Sequence, residues 1–301
     1  MQPEFSILLP SHNGSDTLPE CLDALGAVAL PETAVEVLLI DNASDDRTLE
    51  IFSQYAHNYG WRVLSEPRRG KSFALNAAIE ASTGKFIVLI DDDVVPDPGW
   101  LRAYQEATRE TPNAGAFAGQ IRPKWSAGVP GWLQQMADEG RCCGCTALGR
   151  TAGPYPALHV KGGNMMVQRS VLGDLRFDTA SGNFDGSAQA VGGEDTQMVN
   201  RIAEAGNAII FVPEARVHHI LQPHEVTVSA LFRRQIRIGR ASAVNDQFNM
   251  LDRVLTFPAI VAYALAVAGL LAVGMRTHAM KQFLKIGTRF GRIDRWFLRA
   301  F

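Results

Sequence analysis

Cysteine is scarce in this chain: four among 301 residues, at Cys21, Cys142, Cys143 and Cys145. So few, with three so close together, exclude a disulfide scaffold and favour a reducing compartment. The Cys-Cys-Gly-Cys cluster also lacks the C-x-x-C spacing of common zinc sites and reads as thiols in a loop. Net charge is nearly absent, with 29 basic against 31 acidic residues. That balance gives no argument for a nucleic-acid partner, although basic residues gather after about Gln222. No charged segment followed by an apolar run opens the chain, so no signal peptide is expected. No G-x-G-x-x-G follows the first apolar run, which disfavours a dinucleotide site.

What is present is an alternation of short apolar runs and helical patterns. Phe5–Pro10, Val35–Ile40, Trp61–Leu64 and Phe86–Ile90 read as strands. Helices are expected from about Ser15 to Ala27, Asp46 to His57 and Ser72 to Ala81. Such alternation predicts an α/β fold, a mostly parallel sheet with helices on both faces. The fourth run leads straight into Asp91-Asp92-Asp93. In open α/β sheets, ligands bind beyond the carboxyl ends of the strands. On an extended chain Asp91 and Asp93 point to one side and Asp92 to the other. A D-x-D pair of hard oxygens suits Mg²⁺ or Mn²⁺ arriving with a diphosphate; a solvated acidic turn is the alternative.

Further on, a helix from about Pro98 to Arg109 precedes a strand over Gly115–Ile121. The stretch from Arg122 to Pro156 is long and rich in Gly and Pro, as functional loops often are. His159–Val167 enters a strand through Gly162-Gly163, which permits close backbone approach to a ligand or a β-bulge. A flexible stretch from Ser181 to Gly193 delivers Glu194-Asp195 to the start of a helix, where both acids also suit the helix dipole. Ala208–Val212 and Ala215–His219 read as two short strands.

Five motifs in this order resemble the family 2 glycosyltransferases of the GT-A fold, over Phe5 to about Gln222. They are Ser6–Asn13, Leu38–Asp46, Arg69–Asn76, Asp91-Asp92-Asp93, and Gly192-Gly193-Glu194-Asp195 followed by Arg201. Pro213–His219 looks like the family's strand with a late histidine. The resemblance implies that Pro10, Asn13 and Asp41 form the nucleobase side of a donor site. Arg69, Lys71, Asp91 and Asp92 would complete it. A divalent cation, Mg²⁺ or Mn²⁺, would be held by Asp93 and His219, with His218 as the alternative. Asp195 would be the catalytic base and Glu194 would orient it or the acceptor. Gly162, Gly163 and Asn164 would face the acceptor. The implied activity is inverting transfer from a nucleoside-diphosphate sugar to a lipid-linked or polysaccharide acceptor at the cytoplasmic membrane face. Two other readings are a catalytically silent donor-binding scaffold and a nucleotidyltransferase. The second would want a glycine-rich, basic signature where Ser11-His12-Asn13-Gly14 stands.

The expected division is a catalytic domain over 1–225 and a membrane-associating helical tail over 226–301. Within the first, the nucleotide-sugar half runs to about 121 and the acceptor half from about 122. Val254 to Met275 carries no charge over 22 residues, long enough to cross a bilayer. Phe283, Ile286, Phe290, Ile293 and Phe297 then form an apolar stripe opposite Lys281, Lys285, Arg289, Arg292 and Arg299. That pattern predicts an interfacial helix on an anionic surface, with domain packing as the alternative. Both flanks of the apolar run are basic, which favours a re-entrant insertion with both ends cytoplasmic, turning at Pro258 or the later glycines. Arg233–Arg240 lacks the tryptophan of the processive enzymes' glutamine-x-x-arginine-tryptophan motif, so a polymerase is not expected.

Overall fold

The computed structural model describes residues 2–30, 33–179, 193–245 and 250–299. The first half runs β1 (Phe5–Ser11), α1 (Leu18–Gly26), β2 (Val35–Asp41), α2 (Thr48–Tyr59), β3 (Arg62–Ser65), α3 (Lys71–Ala81) and β4 (Phe86–Ile90). There follow β5 (Val94–Pro96), α4 (Trp100–Glu110), β6 (Ala114–Trp125), α5 (Gly131–Asp138), β7 (Gly153–Pro154), β8 (Asn164–Gln168), α6 (Arg169–Leu172), α7 (Glu194–Glu204) and β9 (Ala208–Leu221). Three helices end the described chain: α8 (Val228–Asn245), α9 (Met250–Ala272) and α10 (Arg276–Arg299).

One sheet runs in the order β3-β2-β1-β4-β8-β6-β9-β5, with β7 paired to β9. β1 to β4 are mutually parallel, as the alternation predicts, and β6 lies parallel to β9. β8 and β5 run against their neighbours, so the sheet is mixed but mostly parallel. Helices cover both faces because β1, β2 and β4 are apolar on both sides. Ile7 and Leu9 pack into one core and Leu8 into the other.

Two sequence expectations are corrected here. The two strands expected over 208–219 are one continuous strand, β9. The stretch after Ile121 is not wholly loop: β6 continues to Trp125 and α5 follows. Of the turning points expected in the apolar run, α9 passes through Pro258, and the reversal comes at one of the later glycines, Gly274, whose φ is 76°. The flexible stretch expected before Gly193 falls on 181–192, outside the described residues.

β9 passes for one strand only because its irregularity is filled. Pairing with β6 jumps from Gly119↔Val212 to Gln120↔Arg216, leaving Pro213 to Ala215 unmatched. Asn164 fills that bulge. Its Nδ2 donates to the carbonyls of Ala215 at 2.8 Å and Gln120 at 3.1 Å, and its Oδ1 accepts from Trp100 Nε1 and Tyr104 OH, both at 2.8 Å. At 1 % exposure every side-chain hydrogen-bonding position is used inside the protein. Asn164, expected to face the acceptor, is here a brace that ties β8, β6, α4 and the bulge of β9 together.

Replacing this side chain with a similar apolar volume, Asn164→Leu, strands several buried donors and acceptors at once. We expect a loss of about 3 kcal/mol of unfolding free energy in urea titration. A loss below about 1 kcal/mol would show that the bulge is held by something else.

Candidate active site

The carboxyl ends of β1, β2 and β4 and the start of α3 surround an open cleft of about 230 Å³. Its lining is Pro10, Ser11, His12, Asn42, Arg69, Gly70, Lys71 and Asp91 to Asp93. Asn42 builds one wall. Its Nδ2 donates to the carbonyls of Glu66 and Arg68, while its Oδ1 accepts from the Gly70 amide at 2.7 Å. That pins the loop into α3, where Gly70 takes a φ of 140° that side chains avoid. His12 Nδ1 meets the Asn42 carbonyl at 2.8 Å, and its Nε2 contacts the Arg69 guanidinium.

Pro10, Arg69, Lys71, Asp91 and Asp92 thus come together in the cleft. Asn13 and Asp41 are not among its lining residues. Asn13 is exposed and ties its turn to the next one, pairing with the Ser44 hydroxyl and the Asp45 amide. Asp41 is buried and accepts from the Ser44 amide. Ser11, His12 and Asn42 take the lining places. The sequence signal for them is their position at strand ends.

The three acids leave β4 in a turn and diverge to three partners. Asp91 Oδ1 is 2.6 Å from Lys71 Nζ. Asp92 accepts the Ser11 hydroxyl, and burial with the adjacent Asp93 charge raises its pKa to about 7. Asp93 Oδ2 is 3.0 Å from His219 Nε2. Burial penalises both partners, yet their mutual attraction more than offsets it. It lowers Asp93 and raises His219 to about 9. His218 points elsewhere, with Nε2 at 2.9 Å from Asp97 Oδ1.

His219 is oriented from behind. Its Nδ1 donates to the Cys143 carbonyl at 2.8 Å, which directs Nε2 at Asp93. Cys143 reaches that place with a φ of 56°, and sequence reasoning treated its cluster only as loop thiols. All four cysteines are free and buried. This carbonyl–imidazole arrangement is the usual support of a metal-ligating histidine. One imidazole nitrogen and one carboxylate oxygen fit a divalent cation in donor chemistry. To serve as a ligand His219 must give up its proton.

Glu194 and Asp195 open α7 behind Gly193, whose φ is 104°. Gly192 lies outside the described residues. Burial, with the Glu194 and Asp91 charges, raises Asp195 to about 7 against the pull of Lys71 and the Gly162 amide. Glu194 Oε2 and Asp195 Oδ1 are buried and have no hydrogen-bond partner among the described residues. The glycine pair explains how these acids come so near the cleft. A Cβ at Gly162 would overlap the Asp195 carboxyl group, and one at Gly163 would stand 2.8 Å from Asp91 Oδ2. Both glycines therefore admit carboxyl groups of the protein.

A model of glycosyl transferase family 2 matches residues 6–176. The probable glycosyltransferase YdaM of Bacillus subtilis is 27% identical over 71% of this chain, which spans 50% of that relative's length. The succinoglycan biosynthesis protein ExoM of Rhizobium meliloti is 28% identical over 74% of this chain and 69% of its own length. Among solved structures, the mannosyltransferase PcManGT from Pyrobaculum calidifontis, in complex with GDP-Man and Mn²⁺, covers 99% of this chain and 88% of its own. Its TM-score is 0.66 at 20% identity, a likeness of fold.

The separation of the two histidines gives a test. With Mn²⁺ present, Asp93→Ala and His219→Ala should each weaken nucleoside-diphosphate binding by about tenfold or more, and His218→Ala by less than about threefold. Calorimetric titration checks this. A larger loss for His218→Ala would reverse the assignment.

Proposed function

The chain belongs to glycosyl transferase family 2 and has the GT-A fold, and from that premise we propose inverting, metal-dependent glycosyl transfer. The donor is a sugar linked to a nucleoside diphosphate. The acceptor is lipid-linked or a polysaccharide, met at the cytoplasmic face of the plasma membrane. The observation that carries this reading is Asp195, a carboxyl group poised near neutrality, with one buried oxygen free of any described partner beside the Lys71–Asp91 pair.

In this mechanism Asp195 accepts the proton of the acceptor hydroxyl as its oxygen attacks the anomeric carbon. The anomeric C–O bond to the diphosphate breaks, and the electron pair leaves with the diphosphate. One displacement inverts the anomeric centre. Glu194 orients Asp195 or the acceptor. Asp93 and His219 would hold the divalent cation, which supplies Lewis-acid stabilisation of charge on the leaving phosphates. Lys71 and Arg69 add positive charge from α3 and the loop before it. Pro10, with His12 and Asn42, walls the base side.

The membrane reading rests on α9. Among the described residues it is the one helix long and apolar enough to cross a bilayer. It exposes Phe257 at 70%, Leu265 at 69% and, just beyond its end, Val273 at 70%. The stripe expected to face lipid on α10 is partly spent on packing instead. Phe283 stacks near Phe232, and Ile286 is buried. α10 is fastened to the body through Lys281 and Glu139 at 2.7 Å, and α9 folds back beside it, with Lys285 over the Tyr263 ring. An outer helix held in this way supports insertion along one leaflet rather than a crossing.

Hydrolysis of a panel of nucleotide sugars with Mn²⁺ tests the activity. Asp195→Asn should cut transfer by about a thousandfold while leaving donor affinity within about threefold. In the wild type, kcat/KM should rise with pH through about 7 and then level, because the base must be deprotonated. Loss of donor affinity with retained turnover would remove Asp195 from this role.

Topology has its own test. The full chain should float with anionic vesicles, and Phe257→Asp with Leu265→Asp should abolish flotation. A cysteine placed by Phe301→Cys should resist an impermeant reagent added outside sealed cells. Labelling before permeabilisation would mean a single crossing.

A further inference from the structure

Ahead of β8 the chain gathers basic side chains on one loop that the sheet holds in place. β7 pairs with β9 through Gly153↔Phe211 and Pro154↔Ile210, and the Tyr155 amide donates to the Ile209 carbonyl at 2.9 Å. The buried Tyr155 ring stacks on Phe211 with centroids 4.8 Å apart. The Arg150 guanidinium lies over the Tyr155 ring at 4.6 Å, and the His159 ring meets that ring edge-on at 5.9 Å. One aromatic ring thus positions a guanidinium and an imidazole without neutralising either.

Lys161 follows two residues later, and the loop leads directly to the proposed base. The short helical turn Ala157–His159 packs against α7, which begins at Glu194 and Asp195. Gly162, next to Lys161, presents its amide to the Asp195 carboxyl group. Burial, Arg150 and Lys161 lower the pKa of His159, and no carboxylate acts on it among the described residues. Burial and Arg234 lower the pKa of Lys161 against the pull of Asp195, the one carboxyl group that acts on it. Neither Arg150 nor His159 forms an ion pair among the described residues. A single carboxyl group, itself driven toward its protonated form, therefore faces three basic side chains. Apolar side chains flank them, with Leu158 69% and Leu148 41% exposed.

We propose that Arg150, His159 and Lys161 bind a phosphate group of the acceptor, close to the hydroxyl that Asp195 deprotonates. This rests on the proposed role of Asp195 and deepens it by naming a chemical feature of the acceptor. A guanidinium and an ammonium group make short, charge-assisted hydrogen bonds to phosphate oxygens, and the phosphate supplies the negative charge that the loop lacks. Because Tyr155 and the pairing of β7 hold the loop before any ligand arrives, little ordering is needed on binding. A lipid phosphate and a phosphate-bearing glycan share this chemistry, and they differ in whether a hydrocarbon chain lies against Leu158 and Leu148.

The test is calorimetric titration of the full chain, saturated with Mn²⁺ and whichever of UDP, GDP, ADP, CDP and dTDP it binds. Hexyl phosphate and glycerol 1-phosphate are the probes, with hexanol and glycerol as their neutral counterparts. At least one phosphate should bind with a Kd below about 5 mM, and its alcohol at least about tenfold more weakly. Arg150→Gln and Lys161→Gln should each weaken phosphate binding by about fivefold or more. Arg150→Lys should recover part of that loss, and Arg109→Gln, at an exposed site on α4, should change nothing. Nucleoside-diphosphate affinity should stay within about threefold in Arg150→Gln. Tighter binding of hexyl phosphate than of glycerol 1-phosphate marks a lipid phosphate, and equal binding marks a phosphate-bearing glycan. Alcohols that bind as well as their phosphates overturn the proposal, as does unchanged phosphate affinity in either glutamine variant. An equal loss of phosphate and nucleoside-diphosphate affinity in Arg150→Gln also overturns it, as general distortion. If none of the five diphosphates binds, the donor reading fails, and the same titrations of the free chain still decide the role of the loop.

Discussion

Five carboxyl groups, those of Asp91, Asp92, Asp93, Glu194 and Asp195, converge at one end of the sheet, and like charges at such range repel strongly. The arrangement around them follows from that constraint. Asp91 is neutralised by Lys71, Asp93 by His219, and Asp92 accepts a hydroxyl. Asp195 has an amide from Gly162 and is driven toward its protonated form. In the proposed mechanism the Asp93 end holds the cation and Asp195 takes the proton.

That separation depends on bracing that carries no charge. Asn164 fills the bulge of β9, upstream of the two histidines. The Cys143 carbonyl then fixes the tilt of the His219 ring. Gly162 and Gly163 leave the space in which two carboxyl groups approach one backbone. None of these residues needs to touch a substrate. Their chemistry is that of satisfied buried polar groups, which are costly to disturb.

The carboxyl-terminal helices carry an apolar surface. α10 joins the core through Leu284 beside Leu133 and Leu231, and meets α8 along a seam of glycines. α9 lies outside them with its apolar side chains largely exposed.

The strands of the first half were legible in the sequence because a buried parallel strand must be apolar along its whole length, as Phe86–Ile90 is. The clustered acids after it, and those at Glu194-Asp195, were legible because charge at a strand or helix end is a local pattern. Periodicity could not tell whether Phe283 and Ile286 meet lipid or protein, since an apolar stripe looks the same before either partner. Nor could it join 208–212 to 215–219, because Pro213 reads locally as a break and Asn164, which fills the bulge, is distant in sequence. The sequence by itself determined the α/β order and which side chains could carry charge chemistry. Tertiary structure decided their partners: it turns His219, the histidine the motif already favoured, to Asp93, sends His218 to Asp97, and sets the Cys143 carbonyl behind the His219 ring. Partnership of that kind is set by contacts between segments far apart in the chain, which no local pattern encodes.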